Sequence, residues 1–185
     1  LQIATPIYRN REELILDLAK SLLVEAKGLE EAGVTILQID EPILSTGMAD
    51  MQAALESITL ITSGLRCATC LHVCGELVGV IDAILKMPVT IFDFEFSGSD
   101  RNLDIIARRD VKGRWIGFGC VDSSDPGVES VAEIEKRIQR GAEIFEPRRM
   151  LIDPDCGLRM LSRDVAFKKL KNMVDASRQM RIELA

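Results

Sequence analysis

The sequence predicts an α/β fold of parallel strands joined by crossover helices, and three observations carry that prediction. Short β-branched or aliphatic runs recur, helical periodicity fills the stretches between them, and the polar residues with chemistry to offer gather where the runs end. Successive runs begin roughly 22 to 35 residues apart. That is the length of a βα unit, which implies parallel strands with right-handed crossovers.

The first run is Leu1 to Pro6, and the helix after it carries Leu14, Leu18, Leu22, Ala26 and Leu29 on one face. Gly33 follows that helix, which ends near Glu31, in the position where a left-handed residue stops a helix. The later strands are Thr35 to Asp40, Ala68 to Cys74, Thr90 to Phe96, Trp115 to Val121 and Met150 to Pro154. Before the last of them, Val131, Ile134, Ile138 and Ala142 mark a helix. Ser130 and Glu133 stand at capping-box spacing at its start.

At 185 residues the chain is long enough to bury one core, and residues 1–185 are read as a single domain. A net charge of -6 argues against a nucleic-acid partner, because phosphate binders concentrate lysine and arginine on one face. Arg108-Arg109 and Lys168 to Lys171 read instead as solvated helix faces. No apolar run approaches the ~18 to 20 residues of a membrane span, and no signal-peptide pattern is present. The chain is therefore read as cytoplasmic, with no membrane contact. Five cysteines, an odd number, favour free or metal-bound thiols over disulfides.

Polar residues close the runs unevenly. Asp40 and Glu41 end the second, His72 and Cys74 the third, Glu95 the fourth, Asp122 the fifth, and Asp155-Cys156 the sixth. These are the carboxyl ends, where open α/β sheets and (β/α)8 barrels both build ligand sites. Six units are too few for a standard eight-stranded barrel, so the sheet is either open or part of a larger barrel. His72 is the only histidine, and Cys74, two residues on, points to the same face of a strand. His72, Cys74, Glu95 and Cys156 together offer one nitrogen, two sulfurs and one oxygen. A set leaning that soft favours zinc over magnesium or calcium. Zinc suits thiol activation: it holds a substrate sulfur as thiolate, where a free thiol has a pKa of about 8.5.

A self-contained structural site from Cys67, Cys70, His72 and Cys74 is the rival, though three of its four members lie on one extended strand. Gly117 and Gly119 are only a fragment of a phosphate loop. The even-numbered Phe92, Phe94 and Phe96 face away from Glu95, which leaves that carboxylate on the polar side.

Five motifs occur in order: Gln38-Ile39-Asp40-Glu41-Pro42, His72-Val73-Cys74, Glu95 to Asp100, Ile116 to Asp122, and Asp153-Pro154-Asp155-Cys156-Gly157-Leu158. In this order they resemble the catalytic domain of the cobalamin-independent methionine synthase family, over nearly the whole chain. The likeness is to the short archaeal-type members. It implies a (β/α)8 TIM barrel of the methionine synthase and uroporphyrinogen decarboxylase type, here with six of eight βα units. It also implies zinc held by His72, Cys74, Glu95 and Cys156, and methyl transfer to the thiol of homocysteine to form methionine. Asp40 matches the position that holds the substrate amine, with Glu41 beside it, and Asp122 matches a catalytic strand end.

The sequence departs from the family in two places. The family barrel has two further βα units before the one that Leu1 begins, so two sheet edges and part of the core are expected to be exposed. Folate-using members carry a histidine where Ser124 stands here, one thought to protonate the departing folate. A methylcorrinoid, or a corrinoid protein carrying one, is therefore the expected methyl donor, ahead of methyltetrahydrofolate. Two alternatives stand beside this reading: a methylcorrinoid to coenzyme M transferase, which also uses an HxC pair and a later cysteine, and a non-catalytic zinc-binding remnant.

Overall fold

A computed structural model describes residues 7–98, 100–111 and 113–184. The expected strand at Leu1 to Pro6 lies outside the described residues. The other five form one parallel sheet: β1 (Ile36–Asp40), β2 (Ala68–Val73), β3 (Ile91–Glu95), β4 (Trp115–Gly119) and β5 (Met150–Asp153). Their spatial order is their sequence order. Each is shorter than its sequence run by one or two residues, because the ends leave the ladder to carry the loops.

The helices are α1 (Arg11–Glu31), α2 (Met51–Thr62), the single turn α3 (Ile81–Ile84), α4 (Asp100–Ile106), α5 (Val131–Ala142) and α6 (Arg163–Glu183). Local chemistry sets their ends. In α1, Asn10 caps the Glu13 amide, and Gly33 at φ +98° closes the helix through Gly33 N to Glu30 O and Val34 N to Leu29 O. The Ser130–Glu133 capping box of α5 forms as expected, and Ile134 and Ile138 are buried.

Strand alternation divides the sheet into two chemically different faces. Leu71, Val73, Phe92, Phe94, Ile116 and Phe118 point to the helices and join Ile58, Ile84, Ile106, Ile134 and Met173 in one apolar core. The other face carries Asp40, His72, Asp93 and Gly117 in a row of paired Cα positions across β1 to β4. Asp93 and Gly117 flank the same gap, and a Cβ on Gly117 would lie 2.7 Å from the Asp93 carboxyl carbon. Gly119 likewise leaves room for Asp155, whose Oδ1 would lie 2.7 Å from an added Cβ. These two glycines make space for carboxylates, and they do not form a phosphate loop.

Among the described residues, β1 and β5 are the sheet's edges. The apolar face expected on α1 is covered at Ala26 but not at Leu18 or Leu22. Ala19 and Ala26 are the buried residues of that helix, whereas Leu18 and Leu22 are 54% and 53% exposed. Small side chains let α1 lie close to α2, and the leucines are left on the wall of a groove of about 490 Å³ shared with Ile39, Ile43 and Met48. Periodicity reveals an apolar face but not what covers it.

Candidate metal centre

His72, near the end of β2, anchors the site. Its Nδ1 lies 2.8 Å from Asp93 Oδ2, and both residues are 6% exposed. Its Nε2 is buried without a hydrogen-bond partner. The ligand atoms of His72, Cys74 and Cys156 all lie within 4.8 Å of one another, so an imidazole nitrogen and two sulfurs from two strand ends meet at one point. Hydrogen bonding to Asp93 raises the His72 pKa to about 9 against the opposing effect of burial, and the Asp93 charge and the neighbouring Cys156 also raise it. Burial, then the neighbouring Cys156 and Glu95, lift the Cys74 thiol above its ordinary value. Crowded groups that raise one another's proton affinity in this way suit a divalent cation, which would relieve them together.

Two buried polar side chains bring the ligand-bearing loops together. Asn102 on α4 accepts from Leu77 N at 3.0 Å, and its Nδ2 donates to Gly75 O at 3.0 Å and Glu95 O at 3.1 Å. It therefore ties the turn after Cys74 to the end of β3. Asp155 does the same for the Cys156 loop. Its Oδ1 accepts from Phe96 N and Ser97 N, each at 3.1 Å, and its Oδ2 accepts from the Ser97 hydroxyl. Burial raises the Asp155 carboxyl to about 6, and the Ser97 and Phe96 bonds pull the other way.

Of the four ligands implied by the family likeness, three come together and Glu95 stands apart from the group. It ends β3 next to them, and its charge acts on Cys74 and Asp155. Cys67 and Cys70 stay outside the group, so the rival four-residue site does not form among the described residues. Asp40, opposite His72 in the β1–β2 register, is exposed and receives a bond from Gln38 Nε2 at 2.8 Å. Burial raises the neighbouring Glu41 carboxyl. Asp122 organises its own loop: its Oδ1 accepts from the Ser124 amide and hydroxyl, each at 2.7 Å, and from the Asp125 amide at 3.2 Å. Burial raises its pKa, but those bonds and Lys169 outweigh it and hold the carboxyl below its ordinary value.

The sequence reading missed Asp93 and Asp153. Asp93 stands between Phe92 and Phe94, on the face opposite to them, and pairs in register with His72. The alternation that separated Glu95 from the phenylalanines applies equally to Asp93. Asp153 is raised by burial first and by Asp93 second, and its Oδ1 is buried without a partner.

The catalytic-domain model of the cobalamin-independent synthases matches residues 3–179. The chain belongs to the cobalamin-independent synthase family. Methionine synthase from Methanothermobacter marburgensis is 46% identical over 91% of this chain and 55% of its own length. That from Methanocaldococcus jannaschii is 45% identical over 94% and 58%. The chain thus spans a little over half the length of these curated relatives. A solved B12-independent methionine synthase from Shewanella sp. W3-18-1, in complex with selenomethionine, superposes at a TM-score of 0.85 and 23% identity, covering 97% of this chain and 58% of that one. This likeness shows the fold: the five strands are consecutive βα units of the synthase TIM barrel.

Proposed function

We propose that this family member moves a methyl group onto the thiol sulfur of homocysteine, forming methionine, with zinc as its metal. One observation carries the reading: an imidazole nitrogen of His72 and the two thiols lie within 4.8 Å of one another at the carboxyl end of a barrel-type sheet. His72, Cys74 and Cys156 would hold the ion and Glu95 would complete the set, which is the nitrogen, sulfur and carboxylate mixture that suits zinc. When bound, zinc supplies the Lewis acidity that keeps a substrate thiol ionised near neutral pH.

The remaining roles belong to the chain's own groups. Asp40 would receive the substrate ammonium, oriented by Gln38 and one strand away from His72. Glu41 adds a second carboxyl at the same strand end. The sulfur attacks the methyl carbon in line: the new C–S bond forms, the bond from methyl to donor breaks, and its electron pair leaves with the donor. Asp122 keeps the loop after β4 folded at the rim where the donor would approach. At the position where folate-using members have a histidine, the Ser124 hydroxyl is bonded to Asp122. A methylcorrinoid, whose cobalt leaves without a proton, is therefore the proposed donor, and the cytoplasm is the proposed location.

The test is thiol methylation by the zinc-reconstituted protein, with methylcobalamin as donor and either homocysteine or coenzyme M as acceptor. Methionine formation that Asp40→Asn reduces mainly through KM for homocysteine supports the reading. Preferential methylation of coenzyme M, indifferent to Asp40→Asn, contradicts it. Methyltetrahydrofolate serving as well as methylcobalamin would overturn the donor assignment alone.

A further inference from the structure

We propose that Asp93 is a positioning residue for the metal centre: its carboxylate holds His72 as the tautomer with the proton on Nδ1, so that Nε2 is presented to the ion, and thereby sets zinc affinity. The proposal rests on the zinc reading above and concerns a residue outside the ligand set.

The geometry has four parts. Asp93 Oδ2 lies 2.8 Å from His72 Nδ1, which fixes the ring by its far nitrogen. Nε2, the nitrogen left over, is buried without a hydrogen-bond partner, on a ring that offers a nitrogen to the group with Cys74 and Cys156. The strands hold the pair in register, with His72 opposite Asp93 and Asp93 opposite Gly117. At Gly117 an added Cβ would come within 2.7 Å of Asp93 Cβ, Cγ and Oδ1, so β4 has no room there for any side chain.

A purely structural pair would not be built this way. The buried side-chain nitrogens and oxygens without a partner, among the described residues, are His72 Nε2, Asp93 Oδ1 and Asp153 Oδ1. Orphaned buried polar atoms cost stability, and native proteins hold few of them. Their gathering behind and beside one imidazole marks an arrangement kept for what Nε2 binds. A carboxylate on the far nitrogen of a ligating histidine selects the tautomer, orients the ring and raises its basicity, and losing such a partner typically costs about 10- to 100-fold in metal affinity.

The experiment measures zinc affinity by competition with a chromophoric chelator, in the wild type and in Asp93→Ala, Asp93→Asn and Gly117→Ala, beside the ring signals of His72 in nitrogen-resolved NMR. His72 is the chain's only histidine, so those signals need no assignment. The expected result is a zinc-loaded wild type with a protected Nδ1–H and metal on Nε2, and about a 10- to 100-fold loss of affinity in Asp93→Ala. Asp93→Asn recovers part of it, since its carbonyl oxygen can still accept from Nδ1–H. Gly117→Ala loses affinity although it touches no ligand. Asp93→Ala that folds and binds zinc as tightly as wild type overturns the proposal while leaving the zinc reading intact. Metal on Nδ1 overturns it as well, and that readout needs only the wild type. A wild type that binds no zinc overturns the zinc reading and this proposal with it.

Discussion

Among the described residues, two pairs of a carboxylate and a nitrogen base have nearly the same separation: 2.7 Å from the buried Lys169 Nζ to Oε2 of the half-buried Glu129, and 2.8 Å from His72 Nδ1 to Asp93 Oδ2, both buried. Around Glu129 the bonding is complete. Its Oε1 accepts from the Asp122 amide at 2.8 Å and from Arg137 at 3.3 Å, and its backbone carbonyl accepts from Asn172. Arg137 in turn reaches the Cys120 carbonyl at 2.8 Å. Around His72 the bonding is left open, with Nε2 and Asp93 Oδ1 unpartnered. The first pair is a fastening that locks the loop after β4 onto α5 and α6. The second is a fastening on one side and a nitrogen without a hydrogen-bond partner on the other, which is what a ligand-binding group requires.

Substitutions at the two pairs should therefore fail differently. His72→Ala should abolish zinc binding, to below detection by chelator competition, while the chain stays folded by circular dichroism; retained binding would remove the metal centre from the account. Lys169→Met should do the reverse. It leaves the half-buried Glu129 with Arg137 at 3.3 Å and the Asp122 amide but without its main cation, which costs about 1–3 kcal/mol in a denaturant titration, and the folded fraction should bind zinc as the wild type does. Gly119→Ala sits between the two. Its Cβ would meet Asp155 Oδ1 at 2.7 Å and the Phe94 carbonyl at 2.8 Å, a clash worth about 1–3 kcal/mol. Because Asp155 holds the Cys156 loop, some zinc affinity should go with it.

The smallest expected effect is in pH dependence. Burial works against a charged Glu129, but Lys169 and the Asp122 amide outweigh it and hold its carboxyl below the ordinary 4.5. A carboxyl depressed in the folded state contributes stability that is present above its unfolded value and is lost as pH falls through the folded one. Wild-type stability should therefore decline as pH drops below 4.5. Lys169→Met should show a shallower acid slope, and equal slopes in denaturant titrations across that range would detach Glu129 from the pair.

The contrast between the two pairs was only half legible in the sequence. Strand positions were, because β-branched runs alternate with helical periodicity at βα spacing, and β1 to β5 fall inside those runs. His72 and Cys74 were legible by their spacing of two, whereas Cys156, 82 positions beyond Cys74 with no local period to connect them, was legible only through its place at the carboxyl end of the last strand. Asp93 was hidden in an aromatic run that reads as simple core. Glu129 and Lys169 are 40 residues apart and meet only because α6 packs on α5. Leu18 and Leu22 show the opposite failure: helical periodicity puts them on one apolar face with Ala26, but α1 packs through Ala26 and Ala19 and leaves the two leucines exposed.

The most direct measurement is the zinc content of the purified chain and of two cysteine variants. The account predicts one zinc per wild-type chain, lost in Cys156→Ser and kept in Cys67→Ser, because Cys156 and not Cys67 shares the site of His72 and Cys74. Zinc kept by Cys156→Ser and lost in Cys67→Ser would contradict it.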